Sequence, residues 1–376
     1  MRIAHVTDCY LPRTGGIELQ VRDLAAQQRR AGHDVTVLTS TPGDAAEGVR
    51  RLTRDELPEV LRGFEAVHAH FSLGSPFAWT GARTGSELGR PTVITMHSVP
   101  PPGPLLWAVG LATGCRGWRV RWTAVSEVAA APLRIMLPGR EIAVLHNGID
   151  PSAWKIPASR PSRIDELVVV SVMRLAQRKR PVPLVRMLDR VRADLPAELR
   201  LRAVVVGDGP QRGTVQRALR SRGMNTWVDL PGLLTRAEIR DLYMRADLYL
   251  APAKLESFGI AALEARCAGV PVVAMACGGV GEFVRDGLEG HLVGSDSEMA
   301  RVAVRLLSSP DELDSLRVHN SGTLPPMTWD RVLDRSLQAY GPRLETARPG
   351  RHAVGRHALG RTSSAREAIT RRARAG

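Results

Sequence analysis

Lysine is nearly absent from this chain. Among 52 basic residues the only lysines are Lys155, Lys179 and Lys254, so arginine carries the net charge of +14. Aromatic residues are also scarce, at 4%. About half of the net charge lies in residues 342–376, which hold nine arginines, two glutamates and no aromatic side chain. That segment predicts a basic, disordered tail. Without aromatic residues between its charges, it gives little support to a nucleic-acid-binding protein, which remains an alternative of a different class.

Long apolar runs are missing as well. The longest, Pro104–Cys115, is far shorter than the roughly 20 residues that span a membrane, and it predicts a buried or interfacial helix. The first residues, MRIAHVTD, enter a strand directly and do not resemble a signal peptide. The four cysteines have neither metal-ligand nor disulfide-framework spacing. They are typical of reduced thiols, and we expect a cytoplasmic protein.

Several motifs that would indicate other chemistry are absent. The chain has no Gly-x-Gly-x-x-Gly, and Gly207–Gly213 misses that spacing by one residue, which disfavours a nicotinamide dehydrogenase. There is no Asp-x-Asp, so no obvious carboxylates would hold a divalent metal on a diphosphate. His68 and His70 share one strand face, but no third ligand follows nearby, so we predict no metal site.

Strands and helices alternate through two similar halves, which predicts an α/β protein with two doubly wound parallel sheets. The predicted domains are residues 1–155, residues 156–328, a last helix at 329–341 and the tail at 342–376. A stretch rich in proline and serine, Asp150–Asp165, predicts the interdomain linker. Ligands of such sheets bind outside the carboxyl ends of the strands, and we therefore expect a site in the cleft between the domains. The predicted strands are Arg2–Asp8, His33–Ser40, Phe64–His70, Pro91–His97, Arg121–Val125, Glu141–Leu145, Leu167–Arg174, Leu201–Asp208, Trp227–Gly232, Asp247–Pro252 and Val270–Ala276.

The stretch KLESFGIAALE, Lys254–Glu264, predicts a strand end, a loop and the start of a helix. The backbone N–H groups of Phe258, Gly259 and Ile260 would then be available to an anion. Glu256 lies before this cradle and Glu264 inside the helix. Two such carboxylates suit a glycosidase acid/base pair or the hydroxyl-bearing ends of a nucleotide-sugar.

Three further groups of candidate residues are expected at the same cleft. Gly15 and Gly16 follow the first strand and allow close approach of a ligand to the backbone. His97 ends a strand, where an imidazole can bind a hydroxyl or act on a leaving group. Arg174 and Lys179 follow the first strand of the second half, and their charges suit a departing diphosphate.

Taken together, these motifs resemble the family 4 glycosyltransferases, which are retaining enzymes with the GT-B fold. In that fold two Rossmann-like domains face a central cleft. The resemblance runs from about Arg2 to Tyr340. It is carried by TGGIE, ITMHS, AVSE, VLHNGID, RLAQRK, VVVGDGP, ESFGIAALEA and GGVGEFVRDGLEGHLV.

The resemblance implies roles for individual residues of the cleft. Glu264 would bind the ribose and Glu256 the transferred sugar, while the amides of residues 258–260 would hold a phosphate. Arg174 and Lys179 would neutralise the diphosphate, Gly16 would approach it from the first domain, and His97 would contact the donor sugar. Asn147 would support the cleft, and Leu233 would lie beside the base through its backbone. The last helix would cross back to the first domain.

Two positions depart from the family pattern. Met173 precedes the arginine and Arg180 follows the lysine, where glycine is common in the family. Both larger side chains are expected to crowd the phosphate loop.

The sequence thus predicts a retaining hexosyltransferase that needs no metal or other cofactor. Its donor would be a nucleoside-diphosphate sugar, UDP in preference to GDP, and its acceptor an unidentified hydroxyl. The apolar segment and the positive charge are compatible with an acceptor near the membrane and with peripheral attachment to its inner face. A sugar-nucleotide epimerase and a phosphorylase, which also use this fold, remain alternatives.

Overall fold

The computed structural model describes residues 1–72, 74–100, 103–156 and 166–341. The predicted tail, residues 342–376, lies outside the described residues, and so does most of the predicted linker. Within the described ranges the strands form two parallel sheets with helices packed on them. The predicted fold class is therefore confirmed.

The first sheet has seven parallel strands. They are β1 (Arg2–Thr7), β2 (Asp34–Thr39), β3 (Val49–Arg51), β4 (Ala66–Phe71), β5 (Thr92–Met96), β6 (Arg121–Ala124) and β7 (Ile142–Val144). Their order across the sheet is β3-β2-β1-β4-β5-β6-β7. Only β3 was not predicted. It is a three-residue edge strand of sequence VRR that pairs with β2, and so short a segment has no recognisable apolar alternation.

Six α-helices lie among the described residues of this half of the chain. They are α1 (Gly16–Arg30), α2 (Leu57–Leu61), α3 (Pro76–Glu87), α4 (Pro104–Ala112), α5 (Glu127–Met136) and α6 (Pro151–Trp154). In α1, Val21, Leu24, Ala25 and Gln28 recur at helical spacing and are buried. Gln28 is thus an amide on a buried stripe, where it needs hydrogen-bond partners.

The prediction that the linker begins at Asp150 is wrong. The Asp150 carboxylate accepts a hydrogen bond from the Ser152 backbone N–H and caps α6. Trp154 at the end of α6 is buried, with its ring centroid 6.0 Å from that of Tyr243. A short helix with one apolar anchor has too little periodicity to be recognised within a proline-rich stretch.

The second sheet has six parallel strands. They are β8 (Glu166–Val172), β9 (Arg200–Val206), β10 (Val228–Gly232), β11 (Leu248–Ala251), β12 (Val272–Met275) and β13 (Gly290–Val293). Their order is β10-β9-β8-β11-β12-β13. The edge strand β13 was not predicted, because its four residues begin with glycine directly after a turn.

Seven helices follow in this half of the chain. They are α7 (Pro181–Asp194), α8 (Arg212–Ser221), α9 (Arg236–Tyr243), α10 (Ile260–Cys267), α11 (Asp296–Leu307), α12 (Pro310–Gly322) and α13 (Trp329–Ala339).

The last of these helices, α13, packs on the first domain. Backbone hydrogen bonds join Ile149 to Met327 and to Trp329. The Trp329 ring lies so close to Gly148 that a Cβ there would be 2.3 Å from it. Beyond the helix, the Tyr340 hydroxyl is 2.8 Å from His68 Nδ1 on β4. These contacts tie the end of the second half to the sheet of the first.

Candidate active site

The loop between β11 and α10 carries Glu256, and its carboxylate is already engaged. Lys179 Nζ donates to Glu256 Oε2 at 2.5 Å, and both side chains are largely buried. Lys179 lies in the loop that follows β8, so this pair joins the ends of two neighbouring strands. Because its carboxylate is already paired with an ammonium, Glu256 is a poor candidate for a free nucleophile.

Gly259 sets the start of α10. Its φ of 95° is left-handed, and a Cβ there would lie 2.7 Å from Val280 Cγ2. The first backbone bond of the helix runs from Leu263 N–H to the Gly259 carbonyl. The N–H groups of Ile260 and the next two residues therefore have no partner within the helix. This is the anion-binding geometry expected of a helix N-terminus.

Glu264 is buried in the body of α10. The side chain is only 8% exposed, and its carboxylate has no hydrogen-bond partner among the described residues. Burial raises the pKa of Glu264 from 4.5 to about 8, although Arg236 opposes the shift. A buried carboxyl without a partner is able to bind ligand hydroxyls.

Gly16 brings the first domain against this helix. A Cβ on Gly16 would lie 3.2 Å from Ile260 Cδ1, so the first residues of α1 and of α10 lie beside each other. The positive ends of two helix dipoles thus converge on one space. Behind Gly15, the buried Glu18 carboxylate pairs with Arg13 at 3.2 Å.

His97 follows β5 and is buried. Burial lowers its pKa from 6.5 to about 4, so the imidazole is neutral near pH 7. Its Nε2 is 3.0 Å from His70 Nδ1. The ring also lines a small cavity together with Gln20, Asn147 and Gly148. The Gln20 side chain exchanges two hydrogen bonds of 3.0 Å with the Gly148 backbone and fixes this wall.

Arg174 and Leu233 are both exposed, and each lies just after the carboxyl end of a strand of the second sheet. Arg174 belongs to the loop that ends at Lys179, and Leu233 follows Gly232 at the end of β10, with 69% of its surface exposed. Gly207, in the glycine-rich segment after β9, cannot be replaced by a larger residue without a clash, because a Cβ there would lie 1.9 Å from the Met173 carbonyl oxygen. These glycines let the loops after β8 and β9 approach each other.

The structure accommodates both departures from the family pattern. Arg180 adopts a left-handed φ of 61°, which explains why glycine suits this position. Its guanidinium donates to both Asp296 carboxylate oxygens, at 2.8 and 2.7 Å, and to the Pro252 carbonyl. Met173 packs against the core of the second domain.

Contacts between the domains add residues that the sequence did not single out. The Ser126 hydroxyl donates to the Ser257 carbonyl at 2.5 Å, next to Glu256. Glu282 accepts from the Glu127 N–H at 2.7 Å and lies 3.1 Å from His146 Nε2. Burial opposes ionisation of Glu282, but the hydrogen bonds from His146 and Glu127 outweigh it and lower its pKa. Glu282 was missed because its partners lie more than a hundred residues away.

Three buried histidines on the first sheet also lie together. His5 joins His68 and His70 from β1, with ring nitrogens all within 4.8 Å of one another. The third imidazole lies far from His68 and His70 in the sequence, and the pairing of β1 with β4 brings it beside them. Both nitrogens of each ring already have hydrogen-bond partners, so we do not assign this cluster to a metal.

Comparison with known proteins decides the family. The model described as Glycosyltransferase Family 4 matches residues 14–153, and that described as Glycosyl transferases group 1 matches residues 152–318. The chain belongs to the group 1 glycosyltransferases of the GT-B fold. The predicted family and enzyme class are therefore confirmed, and so is the use of nucleotide-sugars.

This glycosyltransferase has several characterised relatives. It is 29% identical over 333 residues to D-inositol 3-phosphate glycosyltransferase of Thermobifida fusca, covering 80% of this chain and 74% of the relative. It is 28% identical over 345 residues to glycogen synthase of Mycobacterium tuberculosis, covering 77% and 81% of the two chains.

Solved structures show the same fold. HepE of Anabaena, crystallised with UDP and glucose, matches with a TM-score of 0.73 and 19% identity, covering 90% of this glycosyltransferase and 98% of HepE. WaaG, a glycosyltransferase involved in lipopolysaccharide biosynthesis, matches with a TM-score of 0.68 and 17% identity, covering 89% and 99%. Among the described residues no helix is long and apolar enough to cross a membrane.

Proposed function

We propose that this enzyme transfers a hexosyl group from a UDP-sugar to a hydroxyl acceptor with retention and without a metal. The observation that carries the proposal is the convergence of positive groups at one edge of the cleft. The N-termini of α1 and α10 lie beside each other there. Arg174 and Lys179 follow β8, the strand next to the one that precedes α10. Such groups stabilise the negative charge that grows on a departing diphosphate.

Glu256 and Glu264 have different roles in this proposal. Glu264 offers a buried carboxyl to the ribose hydroxyls. Glu256, held by Lys179, lies beside the transferred sugar and links its recognition to that of the diphosphate. The preference for UDP rests on the family resemblance and on the UDP and UDP-glucose bound in crystals of HepE.

The proposed reaction proceeds on one face of the sugar. The bond between the anomeric carbon and the phosphate oxygen breaks as the acceptor oxygen bonds to that carbon. The acceptor proton passes to the departing phosphate oxygen, so no side-chain nucleophile is required. The cations and helix N-termini lower the energy of the transition state because they bind the leaving group more strongly as its charge develops.

A panel of nucleotide-sugars tests this proposal. Thermal shifts are measured with and without EDTA, and the anomeric configuration of any product is determined by NMR. We expect a UDP-sugar to raise the melting temperature equally in both conditions and the product to retain configuration. An inverted product would contradict the mechanism, and loss of turnover in EDTA would contradict metal independence. An epimer formed without acceptor would indicate the alternative activity.

We also propose that the acceptor is membrane-proximal. On α4 the side chains of Trp107 and Leu111 are 48% and 57% exposed, and Ile135 on α5 is 44% exposed. The Arg116 guanidinium lies 4.9 Å from the centre of the Trp107 ring. Exposed apolar groups beside arginine suit an anionic lipid surface.

Vesicle flotation tests this attachment. We expect the enzyme to float with anionic vesicles, and the variant Trp107→Ser/Leu111→Ser to remain in the soluble fraction. Val318→Ser on α12, another highly exposed apolar residue, serves as the control and should float as wild type does. Equal flotation of the α4 variant and wild type would contradict the proposal.

A further inference from the structure

A continuous chain of buried hydrogen bonds begins at Thr123 on the first sheet, passes Tyr340 at the end of α13 and Gln28 on α1, and ends at His97. It contains Thr123, Thr95, His68, Tyr340, Gln28, His5, His70 and His97. Each contact between neighbours in this order is between 2.7 and 3.0 Å. Every side chain in it is buried. Because water does not compete, each donor in the chain must find an acceptor within the protein.

One end of the chain fixes where the hydrogens lie. The Thr123 hydroxyl is 3.0 Å from the Ile94 carbonyl oxygen, which can only accept, so Thr123 donates to it. The Thr95 hydroxyl, 2.7 Å from Thr123, must then donate to Thr123. Thr95 in turn accepts from His68 Nε2, so this nitrogen carries the hydrogen and His68 Nδ1 is an acceptor.

The same order of donor and acceptor continues through Tyr340 to the Gln28 amide. The Tyr340 hydroxyl donates to His68 Nδ1 and accepts from Gln28 Nε2. A second hydroxyl supports this orientation, because Ser336 donates to the Leu333 carbonyl and also accepts from Gln28 Nε2. Both hydrogens of the amide are thereby used, and Gln28 Oε1 must face His5.

The three remaining histidines follow the same direction. Since Gln28 Oε1 can only accept, His5 Nε2 carries a hydrogen and His5 Nδ1 accepts from His70 Nε2. His70 Nδ1 then accepts from His97 Nε2. His97 is left with a lone pair on Nδ1, an atom that has no partner among the described residues. Burial lowers the pKa of His97 to about 4, so this nitrogen is unprotonated at pH 7.

We propose that this chain fixes His97 as a hydrogen-bond acceptor that selects a hydroxyl of the transferred sugar over a group that cannot donate. The proposal rests on the proposed function for the identity of the ligand. His97 lines a cavity together with Gln20 and Asn147. In the proposed reaction its free nitrogen accepts a hydrogen bond from such a hydroxyl. Gln28 is a positioning residue, since it acts on the sugar only through His5, His70 and His97.

The position of the hydrogen is testable without any substrate. Histidine-labelled enzyme is examined by long-range proton–nitrogen NMR at pH 7, with the His97 signals assigned by their loss in His97→Asn. We expect the hydrogen on Nε2 and an unprotonated Nδ1 for His97, His70, His5 and His68. A hydrogen on His97 Nδ1 would overturn the proposal.

Two variants of Gln28 test the coupling. Gln28→Glu keeps an oxygen against His5 Nε2, whereas Gln28→Leu removes the acceptor and allows the chain to reverse. In Gln28→Leu we expect His97 to populate the Nδ1–H form, and in Gln28→Glu the wild-type form. If His97 has the same form in both variants, Gln28 does not set it and the proposal fails.

Monodeoxy and monodeoxyfluoro analogues of UDP-glucose test the consequence for selection. In wild type we expect one hydroxyl whose replacement lowers kcat/KM about tenfold, the cost of one lost hydrogen bond to a site built for it. That discrimination should disappear in Gln28→Leu and return in Gln28→Glu. Equal discrimination in all three proteins would overturn the proposal. If no nucleotide-sugar is turned over, the proposed function fails, while the NMR result still decides the state of His97.

Discussion

Glu256 and Glu264 are eight residues apart, yet their surroundings differ. Glu256 is paired with Lys179, whereas the buried Glu264 carboxyl has no hydrogen-bond partner in the part of the chain that the structure describes, and its pKa is raised. The spacing alone was compatible with an acid/base pair. The surroundings instead favour different roles, in which Glu256 positions Lys179 and Glu264 binds ligand hydroxyls.

The first prediction concerns the cations of that loop. We expect Lys179→Ala and Arg174→Ala each to lower kcat by about 10²- to 10³-fold, as is typical when a group that stabilises transition-state charge is removed. Arg178→Ala, which removes an exposed arginine of the same loop, should stay within about threefold of wild type. Steady-state kinetics with the preferred donor checks this. Near-normal turnover in both Lys179→Ala and Arg174→Ala would contradict the mechanism.

A second prediction follows from the raised pKa of Glu264. Between pH 4.5 and about 8 the folded state retains a proton that the unfolded state releases. The free energy of unfolding therefore falls as pH rises through this window, by at most about 1.4 kcal/mol per pH unit. We expect Glu264→Gln to be more stable than wild type at pH 8, with the difference narrowing toward pH 5.

Urea unfolding at both pH values measures this difference. The buried histidines contribute a slope of opposite sign below pH 6.5, because their pKa values are lowered, but they are common to both proteins and cancel. Glu264→Gln should also bind the nucleotide more weakly. A stability difference that does not change with pH would show that Glu264 titrates normally.

Among the secondary-structure elements, the helix N-termini matter most. α1 and α10 belong to different domains, and their first residues, Gly16 and Ile260, lie beside each other. Ser126, the residue that caps α5, contacts the loop that carries Glu256. Each of these ends follows a strand whose carboxyl end faces the cleft. Parallel sheets therefore place several partial positive charges in one region without a metal-binding motif.

The third prediction tests the contact between α1 and α10. Gly16→Ala places a methyl group 3.2 Å from Ile260 Cδ1, so the Ile260 side chain or the two helix ends must give way by a few tenths of an ångström. We expect a KM for the donor raised about tenfold, because the phosphate is held less closely from one side. Gly213→Ala in α8, where no atom lies within 4 Å of the added Cβ, is the matched control.

A second substitution makes this contact a double-mutant cycle. Ile260→Val removes the Cδ1 atom itself, so Gly16→Ala/Ile260→Val should recover much of the lost affinity. If the effects of the two substitutions simply add, the clash is not the cause of the defect.

At the scale of the whole molecule, the two domains are held together by polar contacts as well as by apolar packing. Glu282 in the second domain binds both the α5 N-terminus and His146 of the first. α13 returns to the first sheet and supplies Tyr340 to the buried chain. The second half of the chain is thus joined to the first domain at two separate places.

The fourth prediction concerns closure. Glu282→Ala removes the acceptor for the Glu127 N–H and for His146, and we expect a donor KM raised several-fold with a measurably larger radius of gyration in solution scattering. Glu282→Gln keeps an acceptor for the backbone N–H and should lie closer to wild type. An unchanged radius together with an unchanged KM would show that this contact does not hold the closed form.

The sequence by itself determined the fold class, the family and the placement of most strands, because these depend on apolar periodicity and on local glycine and charge motifs. The edge strands β3 and β13 were not predicted, because three or four residues are too few to show an alternation of apolar and polar side chains. The roles of the individual site residues remain predictions. Only the tertiary structure decided that Lys179 pairs with Glu256, that Gly16 meets Ile260, that His5 joins His68 and His70, and that Gln28 connects them to Tyr340. These contacts join residues far apart in the chain, and the packing of sheets and helices alone brings them together.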